Sequence, residues 1–496
     1  MKKLISLIMC LVMIMSIAIS TTGFTAVKSK KDNLAPVKLT WYVIGSWPQP
    51  GQDEVFAAAN KIIEAKINAT VDFKTVAFGD YDQKMQIVIS SGEDYDICFT
   101  SNWANNYVQN VSKGAFLPLD DLLAKYAPNL YKNVPKVMWE ATKIKGKIYG
   151  VINQQISARI PELAGPKDLM TKYKFNINNF SGKINAYTLS KLEPYIKAVT
   201  KAEPQRYFQF TIDNGGEFFG LDEINGWNVP GAISMSDKSL KVVNQFETPQ
   251  VMAYAKLMRE WNKKGYLNSK VLISSTPDPW AEIKAGKGSL NIGGAYKPGG
   301  VVQDEAQAGM PYASVATGTP YLTTGGIIAT MHAINRNTKN PERATMLLEL
   351  VNTDKELYNT LVYGIKGKNY TLGSDGYATR LGDPATQFNA NTDWMWATNF
   401  LAYLQKGQPK TVWEDTKKMN ATAKASPALG FNFDGEPVKA EVGKCVALCG
   451  EYKKAISLGV LDEKGYNGFL TKLRAAGSKK IMAELQKQLN AWKAGK

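Results

Sequence analysis

The chain has 496 residues, of which 44% are hydrophobic, so it can build roughly two or three domain-sized cores. Its 60 basic residues exceed its 44 acidic ones and give a formal net charge of +16. The lysines are scattered through every segment and form no stripe with interleaved aromatic residues, which argues against a nucleic-acid partner and favours a solvated basic surface.

The amino terminus has the pattern of a secretory signal. Lys2 and Lys3 precede an apolar run over residues 4–19, which is too short for a comfortable transmembrane helix. Small residues follow, and cleavage is expected after Gly23 or Ala26. We therefore assign residues 1–26 to a signal peptide and expect the mature chain outside the cytoplasmic membrane.

The first part of the mature chain alternates between strand and helix patterns. Residues 37–44 and 70–76 are rich in β-branched residues, residues 55–67 and 81–90 show helical spacing, and residues 97–99 are fully apolar. This order predicts a parallel sheet with right-handed crossovers. Ligands of such sheets bind beyond the carboxyl ends of the strands. The loops after the first and third strands, at 45–49 and 100–105, are therefore candidate binding loops.

A second domain is predicted between two extended segments. Residues 146–155 leave the first sheet and residues 313–321 return to it, which is the connectivity of a hinged, two-lobed binding protein. We place lobe 1 at 35–150 and 318–365, and lobe 2 at 151–317 and 366–496. Helical apolar faces predict that Trp261 and Trp492 lie in the core.

Several segments resemble a known family. They read DICFTSNWANNYVQNVSKGAFLPLDDLL at 96–123, GKIYGVINQQ at 146–155, PYLTTGGII at 320–328, FNFDGEPVKAEV at 431–442 and AAGSKKIMAELQKQLNAW at 475–492. Together with residues 333–372, they resemble the extracellular solute-binding proteins (family 1) of bacterial ABC importers. The nearest group is the lipo-oligosaccharide type with a C-terminal DUF3502 region.

The resemblance implies an α/β fold of the type II periplasmic-binding-protein class. Each lobe would hold a mainly parallel sheet flanked by helices, followed by an extra helical C-terminal region. It also implies a monomer that carries an oligosaccharide to ABC permease subunits, without cofactor, metal or catalytic residues. The single histidine, His332, likewise argues against a zinc cluster. The chain departs from the family where a lipid-anchoring cysteine would follow the apolar run, since Cys10 lies inside that run.

Flat aromatic rings and amides are the expected sugar contacts, because sugars present apolar C–H faces with a rim of hydroxyls. The chain has 11 tryptophans and 23 tyrosines, many of which must lie in cores. Trp394 and Trp396 are separated by one residue, and we expect one of them to face the cleft and the other to face the core. The candidate ligand-binding residues are Trp47, Asn102, Trp103, Asn153, Gln154, Trp227, Trp280, Tyr296, Tyr321, Trp394, Trp396 and Asn399.

Two alternative functions are left open by the sequence. Glu217, Asp222 and Glu223 could serve a secreted glycoside hydrolase or lyase if two carboxyls lay roughly 5–9 Å apart around a glycosidic bond. Acids in a glycine-rich loop are more often turn residues. The ligand could also be a non-sugar solute such as a peptide.

Overall fold

The computed structural model describes residues 34–210, 215–275, 279–383, 386–390 and 392–495, so the expected signal peptide lies outside the described residues. None of the helices in these ranges combines the length and the hydropathy that a bilayer-spanning segment needs. The α-helices are Gln52–Ile67, Tyr81–Ser91, Tyr107–Ser112, Asp120–Tyr126, Pro128–Asn133, Lys136–Thr142, Lys167–Lys172, Glu193–Ala202, Pro249–Lys263, Ser269–Leu272, Pro279–Lys284, Val301–Ala308, Thr324–Ile327, Pro341–Thr353, Lys355–Tyr363, Asp393–Trp396, Val412–Thr422, Lys439–Ser457, Glu463–Ala476 and Ser478–Ala494.

The first sheet has five strands, in the spatial order Ala69–Ala77, Val37–Gly45, Ile97–Thr100, Met331–Ile334 and Val151–Ile152. The first three are parallel, as predicted. Met331–Ile334 is antiparallel to both of its neighbours, so four strands point one way and one points back. Helices cover the sheet, with Val55, Ala59 and Ile63 of the first helix buried at the predicted helical spacing.

The second sheet repeats this arrangement with four strands, in the order Tyr312–Ala316, Glu162–Pro166, Gly288–Gly293 and Tyr207–Phe210. Glu162–Pro166 runs against the other three strands. In each sheet the reversed strand follows soon after the chain has crossed between the lobes. The two-lobed α/β fold, with a mainly parallel sheet in each lobe, is therefore confirmed.

The lobes are joined by three short strands. Ala158–Arg159 pairs antiparallel with Tyr321–Leu322, which pairs in parallel with Lys424–Ala425. Two crossings were predicted, and the first was expected a few residues earlier than it lies. The third strand was missed because two residues carry no detectable alternation. Asn420 braces the first crossing, since its Oδ1 accepts from the backbone N–H of Ala158 at 3.0 Å.

The two cores divide the chain differently from the expected lobe boundary at residue 366. Tyr370 and Ala402 pack in the first core, with the strand pair Tyr370–Leu372 and Tyr377–Arg380 between them in the chain. The expectation failed because this hairpin folds back over the Lys355–Tyr363 helix of lobe 1. The described residues from about 428 onward contribute to the second core instead.

The C-terminal helices complete the second lobe. Leu485 and Leu489 are fully buried in its core. Trp261, in the same core, is also fully buried, as predicted. Trp492, also predicted in the core, packs against it only partly buried and contacts Phe431 at a centroid distance of 5.7 Å. It lies in the last turns of its helix, where the covering layer ends.

The remaining strands are short pairs that close loops. They are Lys143–Ile144, Lys147–Ile148, Leu221–Asp222, Ile233–Ser234 and Leu404–Gln405. Leu221–Asp222 and Ile233–Ser234 pair antiparallel, which fixes the loop that carries the acidic residues described below.

Candidate functional site

Aromatic residues gather at the carboxyl edge of the first sheet. The parallel strands Val37–Gly45, Ala69–Ala77 and Ile97–Thr100 end at this edge. Phe78 directly follows the second strand, and Trp103 lies in the loop after the third. Their side chains remain 45% and 48% exposed, which is unusual for rings of this size.

Phe78, Trp103 and Trp394 form an aromatic platform. Phe78 and Trp394 are stacked, with centroids 6.1 Å apart and planes at 25°. Trp103 lies 6.0 Å from Trp394 and 6.5 Å from Phe78. The short helix Asp393–Trp396 supplies Trp394, so the platform combines the predicted strand-end loop with a distant segment.

Hydrogen bonds hold the platform from behind. The indole Nε1 of Trp103 donates to the carbonyl of Ala329 at 2.8 Å. The buried Asn153 donates from Nδ2 to the carbonyl of Trp394 at 3.3 Å. The Trp103 ring is therefore fixed in orientation and the backbone of Trp394 is anchored before any ligand arrives, which lowers the entropic cost of binding.

Trp47 and Trp396 lie in the core beneath the platform, which corrects their prediction as ligand contacts. Trp396 is fully buried and Trp47 is 7% exposed. Their rings meet edge to face at 6.1 Å, and Trp396 also contacts Trp41 at 5.7 Å. Both rings pack in the hydrophobic core of the first lobe. The neighbours Trp394 and Trp396 thus divide between platform and core, as their spacing predicted.

Asn153 is a structural amide. Its Oδ1 lies 3.1 Å from Nδ1 of His332. Since an amide oxygen only accepts, Nδ1 of His332 carries the proton. Burial lowers the pKa of His332 to about 3, so the ring is neutral at physiological pH. Within the described ranges, His332 belongs to no group of residues able to hold a metal ion.

Gln154 and Asn399 link the first crossing to the platform helix. The backbone N–H of Asn399 donates to the carbonyl of Gln154 at 2.8 Å. The Asn399 side chain accepts from the Tyr358 hydroxyl at 3.2 Å and donates to Asp393 at 3.3 Å. These bonds occupy both the oxygen and the nitrogen of the Asn399 side-chain amide. Asn399 therefore positions the platform segment Asp393–Trp396. It also lines a small pocket of about 40 Å³.

Trp227 and Trp280 pack in the second lobe and do not join the platform. Trp227 is 6% exposed and stacks on Phe219 at 5.2 Å in the second core. Trp280 packs against Tyr312 at 5.9 Å in a small neighbouring cluster. The sequence signal for both was a flanking glycine or proline, which proves a poor guide to exposure.

Tyr296 and Tyr321 lie at the crossings, half-buried. The backbone N–H of Tyr296 donates to the carbonyl of Ile160 at 2.9 Å, beside the first crossing. Tyr321 pairs with Arg159 in the hinge. Both are placed where movement of the lobes would shift them.

A large cavity of about 1440 Å³ lies between the lobes. Lobe 1 contributes the exposed Asn102, next to Trp103, and the hinge contributes Arg159 and Gly325. Lobe 2 contributes an acidic loop, and the C-terminal region contributes Phe433. The cavity exceeds the ~300–1,000 Å³ typical of pockets for drug-sized ligands, so it suits a larger, polar molecule.

Glu217, Asp222 and Glu223 form a carboxylate cluster on the lobe 2 wall of this cavity. Burial, followed by repulsion from Glu217 and Asp222, raises the pKa of Glu223 to about 8. Burial also raises the pKa of Asp222 to about 6 and that of Glu217, while Arg159 acts in the opposite direction on Glu217. Glu223 therefore retains its proton near neutral pH, whereas Asp222 is largely ionised.

Gly216 makes room for this cluster. Its backbone N–H donates to Oε1 of Glu223 at 3.2 Å. A Cβ added at Gly216 would lie 1.7 Å from Oε2 of the same carboxyl and 2.6 Å from the carbonyl of Leu221. The glycine is thus required for the acid to lie at the cavity wall.

Several residues of the site were missed by sequence reasoning. Phe78 follows the second strand of the sheet, so the rule that identified the loops after the first and third strands could have found it. Arg159 and Phe433 carried no local signal. The acids near Glu217 were recognised as a group, but their position on the cavity wall depends on the crossing of the chain.

The chain is similar to proteins of known kind along almost its whole length. The family described as "Domain of unknown function (DUF3502)" matches residues 427–494. A carbohydrate ABC transporter substrate-binding protein of Streptococcus pneumoniae is 30% identical over 460 residues, covering 90% of this chain and 89% of the relative. The polygalacturonan/rhamnogalacturonan-binding protein YtcQ of Bacillus subtilis is 22% identical, covering 94% of each.

A solved structure has the same fold. The N-glycan transport solute-binding protein NgtS of Streptococcus pneumoniae is 29% identical and superposes with a TM-score of 0.79, covering 92% of this chain and 99% of that one. Its complex with Man5GlcNAc gives a TM-score of 0.72 at 28% identity, covering 93% and 99%. The extent of these matches, together with the two lobes and the three-stranded hinge, places the chain in the carbohydrate ABC transporter substrate-binding proteins, with a C-terminal DUF3502 region.

Proposed function

We propose that the protein captures an oligosaccharide in the cleft between its lobes, outside the cytoplasmic membrane, and delivers it as a monomer to an ABC permease. The observation that carries this proposal is the aromatic platform, in which Phe78 and Trp103 are exposed and Trp394 is partly buried. Trp103 directly follows Asn102, which lines the cavity of about 1440 Å³ between the lobes.

The platform has the chemistry of a sugar subsite. Large aromatic rings are normally buried, since exposing them forfeits hydrophobic stabilisation. Here the indole Nε1 of Trp103 donates to the backbone carbonyl of Ala329, and the Asn153 side chain donates to the backbone carbonyl of Trp394. The apolar C–H face of a pyranose would cover the rings, while amides such as Asn102 would bond its hydroxyls.

Closure of the lobes would complete the site. The hinge consists of three two-residue strands, which allow the lobes to rotate with few broken bonds. The chain superposes better on NgtS than on NgtS in complex with Man5GlcNAc, with TM-scores of 0.79 and 0.72.

The proposal excludes catalysis by the carboxylate cluster. The relatives are named as binding proteins, and we assign the three carboxyls to the wall of a binding cleft.

The decisive experiment is titration calorimetry with Man5GlcNAc, the ligand of the NgtS complex, and with a panel of other oligosaccharides. Binding of at least one sugar that is recovered intact would support the proposal. Hydrolysis or elimination of a bound sugar would contradict it, as would peptide binding without sugar binding.

A further inference from the structure

The C-terminal region forms part of the wall of the cavity between the lobes. Phe433, Val442 and Val446 line this cavity, and all three belong to the segment 427–494 that the DUF3502 family matches. The wall on the other side of the cleft comes largely from two helices of lobe 1, Tyr81–Ser91 and Tyr107–Ser112. The region whose family has no described function therefore borders the cleft directly.

The C-terminal wall presents valines to the cavity. The helix Lys439–Ser457 buries Cys445 and Cys449 in lobe 2. Val442 and Val446, one turn apart on the neighbouring face, line the cavity, and Val446 is 40% exposed. A valine offers a sugar neither a flat ring nor a hydrogen bond. An apolar surface is the better partner for it, because removing exposed methyl groups from water is favourable.

Lobe 1 offers such a surface across the cavity. Ile89 and Val108 line the cavity and are only partly buried, since they pack against the first core from one side. We call these two residues and Lys113 the lobe 1 rim. The C-terminal rim consists of Val442, Val446 and Asp434. Each rim thus carries aliphatic side chains that the other could cover.

Hydrogen bonds at one end of the cleft anchor both rims to the same part of lobe 1. The Tyr107 hydroxyl donates to the carbonyl of Thr142 at 2.6 Å. Nδ2 of Asn432 donates to the carbonyl of the preceding residue, Ala141, at 3.3 Å. Val108 directly follows Tyr107, and the C-terminal rim begins two residues after Asn432. The two rims therefore start from adjacent points and lie on opposite sides of the cavity.

The charges of the rims are complementary as well. Lys113 is exposed at the end of the helix Tyr107–Ser112. Asp434 and Glu436 are exposed on the other side of the cavity, where Lys439 lies 3.3 Å from Glu436 and offsets its charge. The charge of Asp434 remains to attract Lys113, and this attraction strengthens as the distance between the rims falls below the screening length of about 8 Å.

We propose that the C-terminal region closes the cleft, and that its rim packs against the lobe 1 rim when a ligand brings the lobes together. This inference rests on the proposed function, in which an oligosaccharide closes the lobes. In the closed form the valines of one rim cover the aliphatic residues of the other, and Asp434 approaches Lys113. The contact joins two parts of the chain and does not involve the sugar.

The rim contact acts on the affinity for every ligand in the same way. A ligand that binds the closed form has an apparent affinity that scales with the fraction of protein able to close. Side chains that stabilise the closed form without touching the sugar therefore change all affinities by one factor. A side chain that contacts the sugar changes affinities by factors that differ among ligands.

Cross-linking measures the approach of the rims. The exposed Gln109 and Lys439 line the cavity beside the rims, and Gln109→Cys/Lys439→Cys places one thiol on each side. A short bismaleimide should join these thiols faster when Man5GlcNAc, or another sugar that binds in calorimetry, is added. Asp94→Cys/Lys439→Cys is the control, because Asp94 is 82% exposed beyond the amino end of the third strand, away from the cavity. The native cysteines in the described part of the chain are buried, which raises the pKa values of their thiols and makes them slow to react.

Two valines of the C-terminal region provide a matched pair of variants. Val446 is 40% exposed on the rim, whereas Val460 is 41% exposed and does not line the cavity. Val446→Ser, in the cysteine background, should slow the sugar-induced cross-linking. It should also weaken the binding of each sugar by the same factor, about three- to tenfold, as expected for one or two methyl groups that are no longer buried. Val460→Ser should leave both unchanged, and melting curves confirm that each variant is folded.

The outcomes separate this inference from the proposed function. A sugar that binds without accelerating the cross-link between positions 109 and 439 would overturn the rim contact and leave oligosaccharide binding intact. Equal effects of Val446→Ser and Val460→Ser, or a Val446→Ser effect that differs among sugars, would overturn it too. If no sugar binds, the proposed function is rejected. The rim contact is then decided by cross-linking without sugar, which must exceed that of the Asp94 control and fall in Val446→Ser.

Discussion

Asn153 connects the hinge to the platform through Trp394. Its Nδ2 donates to the carbonyl of Trp394 at 3.3 Å, and its Oδ1 accepts from His332 in the core. Asn153 directly follows the edge strand Val151–Ile152, where the chain begins to cross to lobe 2. One amide therefore links the start of the crossing to the backbone of the platform residue Trp394.

Asn153→Ala should destabilise the protein and loosen the platform. It leaves Nδ1–H of the buried His332 without its acceptor, and a buried unpaired polar group costs about 1–3 kcal/mol. Sugar affinity should fall as well, measured by calorimetry beside urea unfolding. Asn102→Ala is the control, since that exposed amide lines the cavity and should affect affinity without stability. An Asn153→Ala protein of unchanged stability would contradict this role.

Trp103→Ala and Trp261→Ala should have opposite consequences. Trp103 is 48% exposed on the platform, so its loss should reduce binding by about 2 kcal/mol or more, as for an aromatic anchor, with a small effect on folding. Trp261 is fully buried in the second core, and its truncation should cost about 3–5 kcal/mol of unfolding free energy. Equal losses of stability in the two variants would show that the distinction between a platform residue and a core residue is wrong.

The carboxylate cluster should make stability fall as pH rises. The pKa of Asp222 is raised from 3.8 to about 6, and that of Glu223 from 4.5 to about 8. The folded state thus binds these protons more tightly than the unfolded state does. This stabilisation is complete below the unfolded values and is lost as pH rises through about 6 and then about 8.

Glu223→Gln tests that sign. The variant has no proton to lose at this position. The melting temperature of the variant minus that of the wild type should therefore increase from pH 5 to pH 8.5. Thermal unfolding across this range, with Asp94→Asn in parallel, measures the difference. Curves that remain parallel for wild type and Glu223→Gln would show that Glu223 titrates normally in the folded protein.

Ligand should close the lobes. The cleft holds about 1440 Å³, and the connection between lobes consists of three two-residue strands. Solution scattering with a saturating cognate sugar should give a smaller radius of gyration than without it. Trp103→Ala at the same sugar concentration should change less, because less of it is bound. An unchanged radius in a saturated wild-type sample would refute hinge closure.

Local periodicity in the sequence predicted most of the fold of lobe 1. The strand–helix alternation from residue 37 to residue 100 needs only neighbours in sequence, and the helix Gln52–Ile67 formed where its apolar spacing predicted. The strand Lys424–Ala425 could not be predicted in this way. Its two exposed residues gain their partner, Tyr321–Leu322, from a segment about 100 residues earlier.

The site was harder to predict because burial decides it. Trp47 and Trp103 both follow strands of the same sheet. The side chain of Trp47 is nevertheless buried, whereas that of Trp103 is exposed. Residue type and strand position are the same for both, and only the tertiary packing distinguishes them. Trp396 lies in the core and its neighbour Trp394 lies in the platform, and only the packed structure shows which of the two takes each place.

The packing of the last helix also constrains how the protein folds. Leu163, near the start of lobe 2, and Leu489, near the end of the chain, share one core. The backbone N–H of Val242 is likewise bound by Gln486 at 2.8 Å, across 244 positions. Contacts of such long sequence separation form slowly and only after both partners exist. Lobe 2 therefore cannot finish folding until the helix Ser478–Ala494 has been synthesised, whereas most of the first sheet can assemble earlier.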